Sequence, residues 1–278
     1  MADVQNALRE CARELLENGT VDLVIGWENT RDPDKTRVAF IRRPEDATRL
    51  VWDARCVAST AKYLLDERYP EKKRALCLRG CDARAVQRLL SDHQLERESV
   101  YLIGIHCPGV DMPACQSCTH PSPALYDTLL GEVPPPRADE GRFAAVEALE
   151  RMDDAARYAF WTAKYDACIR CYACRNVCPA CSCKECYVDQ YRVGWQGKQF
   201  NRAESQSYGL TRAFHVGDRC IECGQCERVC PMHLPLMLQT RKILKDINDL
   251  FGDYECGLDD ERPNILGAYD LNDADDFR

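Results

Sequence analysis

Two stretches, beginning at Cys168 and Cys220, carry the clearest chemistry in the chain. Cys168-Ile-Arg-Cys171-Tyr-Ala-Cys174-Arg-Asn-Val-Cys178-Pro179 and Cys220-Ile-Glu-Cys223-Gly-Gln-Cys226-Glu-Arg-Val-Cys230-Pro231 both follow C-x2-C-x2-C-x3-C-P. They share seven identities in register, so they form an internal repeat. Three thiolates at successive intervals of three wrap a short loop around one 4Fe-4S cubane, each on a different iron, and the fourth, further along, reaches the neighbouring cube. This spacing assigns Cys168, Cys171, Cys174 and Cys230 to one cluster and Cys220, Cys223, Cys226 and Cys178 to the other. Structural zinc also uses paired C-x2-C, but it needs four ligands per site and has no use for a third evenly spaced cysteine followed by Cys-Pro.

Nineteen cysteines in 278 residues leave a further set to explain. Cys181, Cys183 and Cys186 follow Cys178 in the run CPACSCKEC, too closely for packing, and their spacing implies another cluster completed from elsewhere, or zinc. The first half contributes Cys56, Cys81, Cys107, Cys115 and Cys118. Cys81 and Cys107 follow expected strands, where α/β sheets place their sites, with Cys115 and Cys118 in the loop beyond. These eight would serve one or two further 4Fe-4S clusters, which leaves Cys11, Cys77 and Cys256 unassigned. His106, beside Cys107, is placed to tune a cluster by a hydrogen bond.

The elements that must position these residues fall into two types. Val4–Leu16 has a helical period closed by Gly19, and Val21–Trp27 and Thr36–Ile41 read as strands around a polar turn. A long helix is expected from Glu45 to Arg68, with Leu50, Val51, Ala54, Val57, Ala58, Ala61, Leu64 and Leu65 on one face. Arg74–Leu78 and Ser99–Ile105 read as strands, and between them Gly80-Cys81-Asp82 turns into a helix over 83–92. This alternation describes a small α/β layer. Beyond the prolines of Gly131–Gly141, a helix over Phe143–Ala167 leads into the first motif, and another over Met237–Phe251 follows the second. The expected class is therefore an α/β N-terminal domain (1–130), a Pro-rich linker (131–141) and a mainly helical dicluster ferredoxin domain (142–252).

Residues 253–278 form an acidic tail that holds nine acids and two basic residues, almost all of the net charge of −8. Tyr254, Leu258, Ile265, Leu266, Tyr269, Leu271 and Phe277 interrupt the acids, a pattern suited to docking on a partner or to wrapping back over the chain itself. No basic stripe marks a nucleic-acid site, no apolar run is long enough to span a bilayer, and the N-terminus lacks the pattern of a secretory signal. A cytoplasmic location is the expectation. No G-x-G-x-x-G or phosphate-cradling Walker motif is present.

Cys230-Pro-Met-His-Leu-Pro235-Leu236, followed by a helix, resembles the second motif of helical dicluster ferredoxin domains, found in an iron–sulfur subunit of heterodisulfide reductases and in the iron–sulfur subunits of succinate dehydrogenase-like enzymes. The first half resembles, through Arg79-Gly80-Cys81-Asp82, Ile103-Gly104-Ile105-His106-Cys107 and the cysteine pair after it, the beta subunits of deazaflavin-dependent hydrogenases and formate dehydrogenases. These resemblances imply an electron-transfer subunit of a multi-subunit oxidoreductase complex, relaying single electrons through two 4Fe-4S clusters beside a catalytic or flavin-bearing partner subunit. The alternative they imply is a catalytic beta subunit that itself binds flavin and exchanges hydride with a deazaflavin or nicotinamide carrier.

Overall fold

The computed structural model describes residues 2–135, 141–258 and 265–267. These divide into two compact units, one over 2–135 with 257–258 and one over 141–256 with 265–267.

The first unit is built on a five-stranded sheet. Its strands are β1 (Leu23–Asn29), β2 (Thr36–Ile41), β3 (Arg74–Leu78), β4 (Val100–Ile105) and β5 (Thr128–Leu130), in the order β2-β1-β3-β4-β5. β2 is antiparallel to β1, and every other neighbouring pair is parallel. β1 and β3 are buried along nearly their whole length, as parallel strands covered on both faces must be. Helix α1 (Ala2–Glu17) turns Leu8, Ala12 and Leu15 into the core and ends before Gly19, whose φ of +69° needs a glycine.

The long helix expected from Glu45 to Arg68 does not form. Pro44–Arg49 makes one 3-10 turn and Ala61–Leu65 another, and the chain between them is irregular. Leu50 leaves the first turn extended, and the Val51 N–H donates to the Trp27 carbonyl at 2.9 Å. The Arg79 guanidinium takes the carbonyls of Cys56 at 2.8 Å and Ala58 at 3.1 Å, and Trp27 Nε1 also donates to Ala58 at 2.9 Å. Carbonyls committed to those donors are lost to a helix ladder, so tertiary bonding overrides the local period. A second difference lies at Gly80-Cys81-Asp82, which are the first residues of α2 (Gly80–Ser91) and not a turn before it. The Asp82 carboxylate accepts from the backbone N–H of Arg79, the residue that caps this helix. β5 was not expected; three residues leave no readable period.

The second unit is helical. Where one helix was expected over 143–167, the chain forms α3 (Ala144–Glu150) and α4 (Asp154–Ala167), because Asp153 caps α4 by accepting from the Ala156 N–H at 2.7 Å. Short helices α5 (Ala173–Val177) and α7 (Gln225–Arg228) lie inside the two cysteine motifs. Between them runs α6 (Arg202–Val216), started by Asn201, whose side chain accepts from the Glu204 N–H at 2.9 Å. α8 (Leu236–Phe251) buries Met237, Thr240, Leu244 and Ile247 along one face. α6 packs against both α4 and α8, and α5 packs against α7.

Within the second unit, the described tail residues 253–256 and 265–267 pack on that unit. Tyr254 is buried, its hydroxyl donates to the Asp218 carbonyl at 2.7 Å, and the Leu266 N–H donates to the Asp218 carboxylate at 3.0 Å. Tyr269, Leu271 and Phe277 lie outside the described residues. Among the described residues, no helix is long and apolar enough to cross a membrane.

The Asp153 cap yields a direct test. Asp153→Ala should cost about 1 kcal/mol, measured as a lower denaturation midpoint of the helical unit in the full-length protein.

Candidate metal centres

The two cysteine loops have the same backbone shape. In the first, Arg170 and Tyr172 are left-handed, with φ of 50° and 59°; in the second, Glu222 and Gly224 occupy the same register with φ of 55° and 69°. A left-handed non-glycine residue costs on the order of 1–2 kcal/mol, a strain usually kept for function. It turns the N–H of the residue two beyond the first cysteine back toward sulfur: Glu222 N–H donates to Cys220 Sγ at 3.4 Å, and the Arg170 N–H bonds Cys168 in the same way.

Each fourth cysteine lies beside the cysteines of the other motif. Cys168, Cys171 and Cys174 line a single cavity with Cys230, the last cysteine of the other motif, and with Pro231 and Tyr208. Burial raises the Cys168 thiol, the Arg170 N–H opposes, and the nearby Cys174, Cys230 and Cys171 raise it further. Reciprocally, Cys178 of the first motif acts on both Cys220 and Cys226. Cys230 Sγ accepts from the Leu234 N–H at 3.4 Å. Burial pushes the Cys220 thiol up to about 11. Cys178 instead falls to about 6: a hydrogen bond with the Cys181 thiol lowers it most, burial opposes, and the Arg212 charge lowers it further. A bound cation would supply the same bias toward thiolate at every ligand.

Helix α6 supplies the wall shared by these sites. Residues 205, 208 and 212 fall on one face. The Ser205 hydroxyl donates to the Cys168 carbonyl at 3.3 Å, the Tyr208 hydroxyl meets Cys174 Sγ at 3.3 Å, and Arg212 Nη2 donates to the Cys174 carbonyl at 3.5 Å. Gly209 lies so close to the Tyr165 ring that a Cβ would sit 2.6 Å from it. Sequence reasoning left this segment unexplained, although the Asn201-x-x-Glu204 start and the spacing of Ser205, Tyr208 and Arg212 were there to be read.

In the first unit, β3 and β4 are neighbours with Leu78 opposite Gly104, so the residues that follow them emerge side by side. Cys81 lies in the first turn of α2 and Cys107 just beyond β4. The loop carrying Cys115 and Cys118 folds back over this edge: the Cys107 N–H donates to the Pro121 carbonyl at 2.9 Å, and His106 Nδ1 meets the Ser122 hydroxyl at 2.8 Å. Gly80 is required there, since a Cβ would sit 2.1 Å from the His120 carbonyl oxygen. Burial pushes Cys81 up to about 12, with Cys107 and Cys118 among the charges acting on it, and burial also raises Cys107, on which Cys115 and Cys118 act. These four thiols are therefore brought together. Cys56 is not: it is fully buried, its thiol donates to the Val51 carbonyl at 3.6 Å, and its neighbouring charges are Asp53, Arg79 and Arg55.

The run after Cys178 does not form one group. Cys181 bonds Cys178, Cys186 bonds the Arg175 side chain, and Cys183 is exposed. Among the described residues, no three His, Cys, Asp or Glu are spaced to hold a metal ion. A cubane does not ask for that spacing, because each thiolate binds a different iron.

Residues 167–235 match the family described as "4Fe-4S dicluster domain". The helical unit carries two 4Fe-4S clusters. The dicluster domain accounts for both motifs up to Pro235, and relatives extend the likeness across the first unit. The chain is 21% identical to the F420-dependent formate dehydrogenase subunit beta of Methanocaldococcus jannaschii, over 95% of each protein. It is 22% identical to the F420-dependent formate dehydrogenase 1 subunit beta of Methanococcus maripaludis, over 91% of each. A solved structure of the F420-reducing [NiFe] hydrogenase complex from Methanosarcina barkeri, derivatized with xenon, matches 38% of this chain and 37% of its own at 14% identity. Its TM-score is 0.30.

Exchange of the fourth cysteines is open to mutation. Cys230→Ser should perturb the spectroscopic signal of the cluster at Cys168, Cys171 and Cys174, leaving the other signal in place. A change confined to the second motif's own cluster would contradict the exchange.

Proposed function

We propose that the chain is the iron–sulfur electron-transfer subunit of an oxidoreductase complex of the kind represented by the F420-dependent formate dehydrogenase beta subunits. The observation that carries this reading is the place of Cys230 in the cavity lined by Cys168, Cys171 and Cys174, beside two loops of matching backbone shape. Cys168, Cys171, Cys174 and Cys230 hold one cluster, and Cys220, Cys223, Cys226 and Cys178 hold the other. Each cluster supplies a one-electron carrier. The chain's own residues do the rest: the N–H groups of Arg170, Glu222 and Leu234 donate to ligand sulfurs, and α6 lines the first site with Ser205, Tyr208 and Arg212.

The layout follows as an α/β domain over 1–130, a linker over 131–141 and the dicluster domain over 142–252. In the first domain, Cys81, Cys107, Cys115 and Cys118 hold a further 4Fe-4S cluster. The buried Arg79–Asp82 ion pair at 2.7 Å braces the start of the helix that presents Cys81. Cys56 has no part in this set, and its thiol serves packing. Cys181 supports Cys178 by its hydrogen bond, which leaves Cys183 and Cys186 outside the ligand sets. The partner is a catalytic or flavin-bearing subunit of the same complex.

A second reading, in which this chain itself binds flavin and passes hydride to a deazaflavin carrier, is favoured by the match to F420-dependent subunits over 95% of the chain. Flavin retained by the purified chain alone would support it over the relay reading.

Iron and sulfide analysis of the anaerobically prepared chain tests the assignment. About twelve irons and twelve sulfides are expected, from three cubanes. Cys81→Ser or Cys107→Ser should lower this to about eight, with the dicluster signals kept, and Cys56→Ser should leave it unchanged. About four irons in the unaltered chain would remove the dicluster assignment itself.

A further inference from the structure

Arg212 is an ionised side chain in a place that should not tolerate one. It lies on α6 and is 5% exposed. One of its nitrogens, Nη2, donates to the Cys174 carbonyl at 3.5 Å, while Nε is buried with no hydrogen-bond acceptor among the described residues. A buried guanidinium costs several kcal/mol unless an opposite charge and hydrogen bonds compensate it. Arg212 lines the cavity of Cys168, Cys171, Cys174 and Cys230; burial works against its charge, and the groups that favour it are thiols, Cys178 first, then Cys226, Cys174 and Cys181. Cys174 belongs to one ligand set, and Cys178 and Cys226 to the other. One cation therefore faces both.

We propose that Arg212 is a shared electrostatic tuning residue, a fixed positive charge between the two clusters that raises the reduction potential of both; this rests on the crossed ligand assignment. Each reduction adds one electron, and so one negative charge, to a cluster held by four thiolates. Net charge and hydrogen bonds to sulfur set cluster potentials. A guanidinium in a site of low effective dielectric stabilises the more negative, reduced form of each neighbour. Because it faces both, it also eases the repulsion between two clusters reduced together. The clusters in turn supply the anionic partner that the orphaned Nε lacks. Arginine suits the position, since its guanidinium stays ionised even when buried.

Redox titration of the anaerobically reconstituted full-length chain, followed by electron paramagnetic resonance, tests this with Arg212→Gln and Arg212→Lys. At fixed potential, Arg212→Gln should lower the ratio of reduced to oxidised form about tenfold at both clusters, a fall of about 59 mV for a one-electron couple. Arg212→Lys, which keeps the charge, should retain most of the wild-type potentials. Unchanged potentials in Arg212→Gln, or a shift at one cluster alone, would overturn the proposal. If Arg212→Gln fails to hold iron, the lysine variant decides. Full iron at near wild-type potentials supports the charge role, and loss of iron there too refutes it. Wild-type protein with fewer than about eight irons would instead sink the ligand assignment, a result separable from any shift in potential.

Discussion

The Arg79 guanidinium has almost no contact with solvent, and much of the first unit is arranged to satisfy it. A buried charge is stable only when paired and fully hydrogen-bonded. Nε is taken by Asp82 at 2.7 Å, the carbonyls of Cys56 and Ala58 take the terminal nitrogens, and the Trp27 ring stacks alongside at 5.4 Å. Asp82 is itself fixed by the Ser59 hydroxyl at 2.7 Å. Satisfying that one side chain draws the 56–59 segment onto the sheet, sets the first turn of α2, and so sets where Cys81 points. The nearby loop of Cys115 and Cys118 can approach only because Gly80 has no side chain.

Both units thus place a buried arginine beside cysteines, but the two charges do different work. Arg79 is neutralised by a carboxylate of its own helix, so its field at Cys81 and Cys107 is that of a compact ion pair and falls away quickly. Arg212 has thiols as its chief counter-charges, and its field remains available to whatever those thiols bind. The first arrangement is architectural, and the second is responsive to the electron count of its neighbours.

Spacing made the dicluster motifs legible, because a cubane dictates distances along the chain, and the proposed exchange of fourth ligands follows from the same constraint. Strands β1 to β4 and helices α1, α2 and α8 were legible for the usual reason that burial leaves a period. Misreading began where a side chain far along the sequence sets the backbone. Residues 45–68 have helical periodicity, yet their carbonyls are claimed by Arg79 and Trp27. Cys56, a ligand candidate by type, sits in the core of the first unit with its thiol between the Val51 carbonyl and the Asp53 N–H. Helix α6 escaped notice because Gly209 and Arg212 are poor marks of a buried face, each being suited to a particular neighbour: the Tyr165 ring and the thiols.

Exchange of the terminal cysteines also bears on how the domain is built. With the ligands exchanged as proposed, neither loop finishes its own pocket, since the residue that completes it comes from the far end of the other. Disorder in one loop therefore withdraws a ligand from the other, and order in one presents a ligand to the other. Such reciprocity couples the two occupancies thermodynamically: filling either pocket raises the affinity of its twin by the same factor. Under scarce iron, a population of these chains would separate into fully charged and wholly empty molecules, with few carrying a single cube. A broken wire with one working link would then be the rarest species.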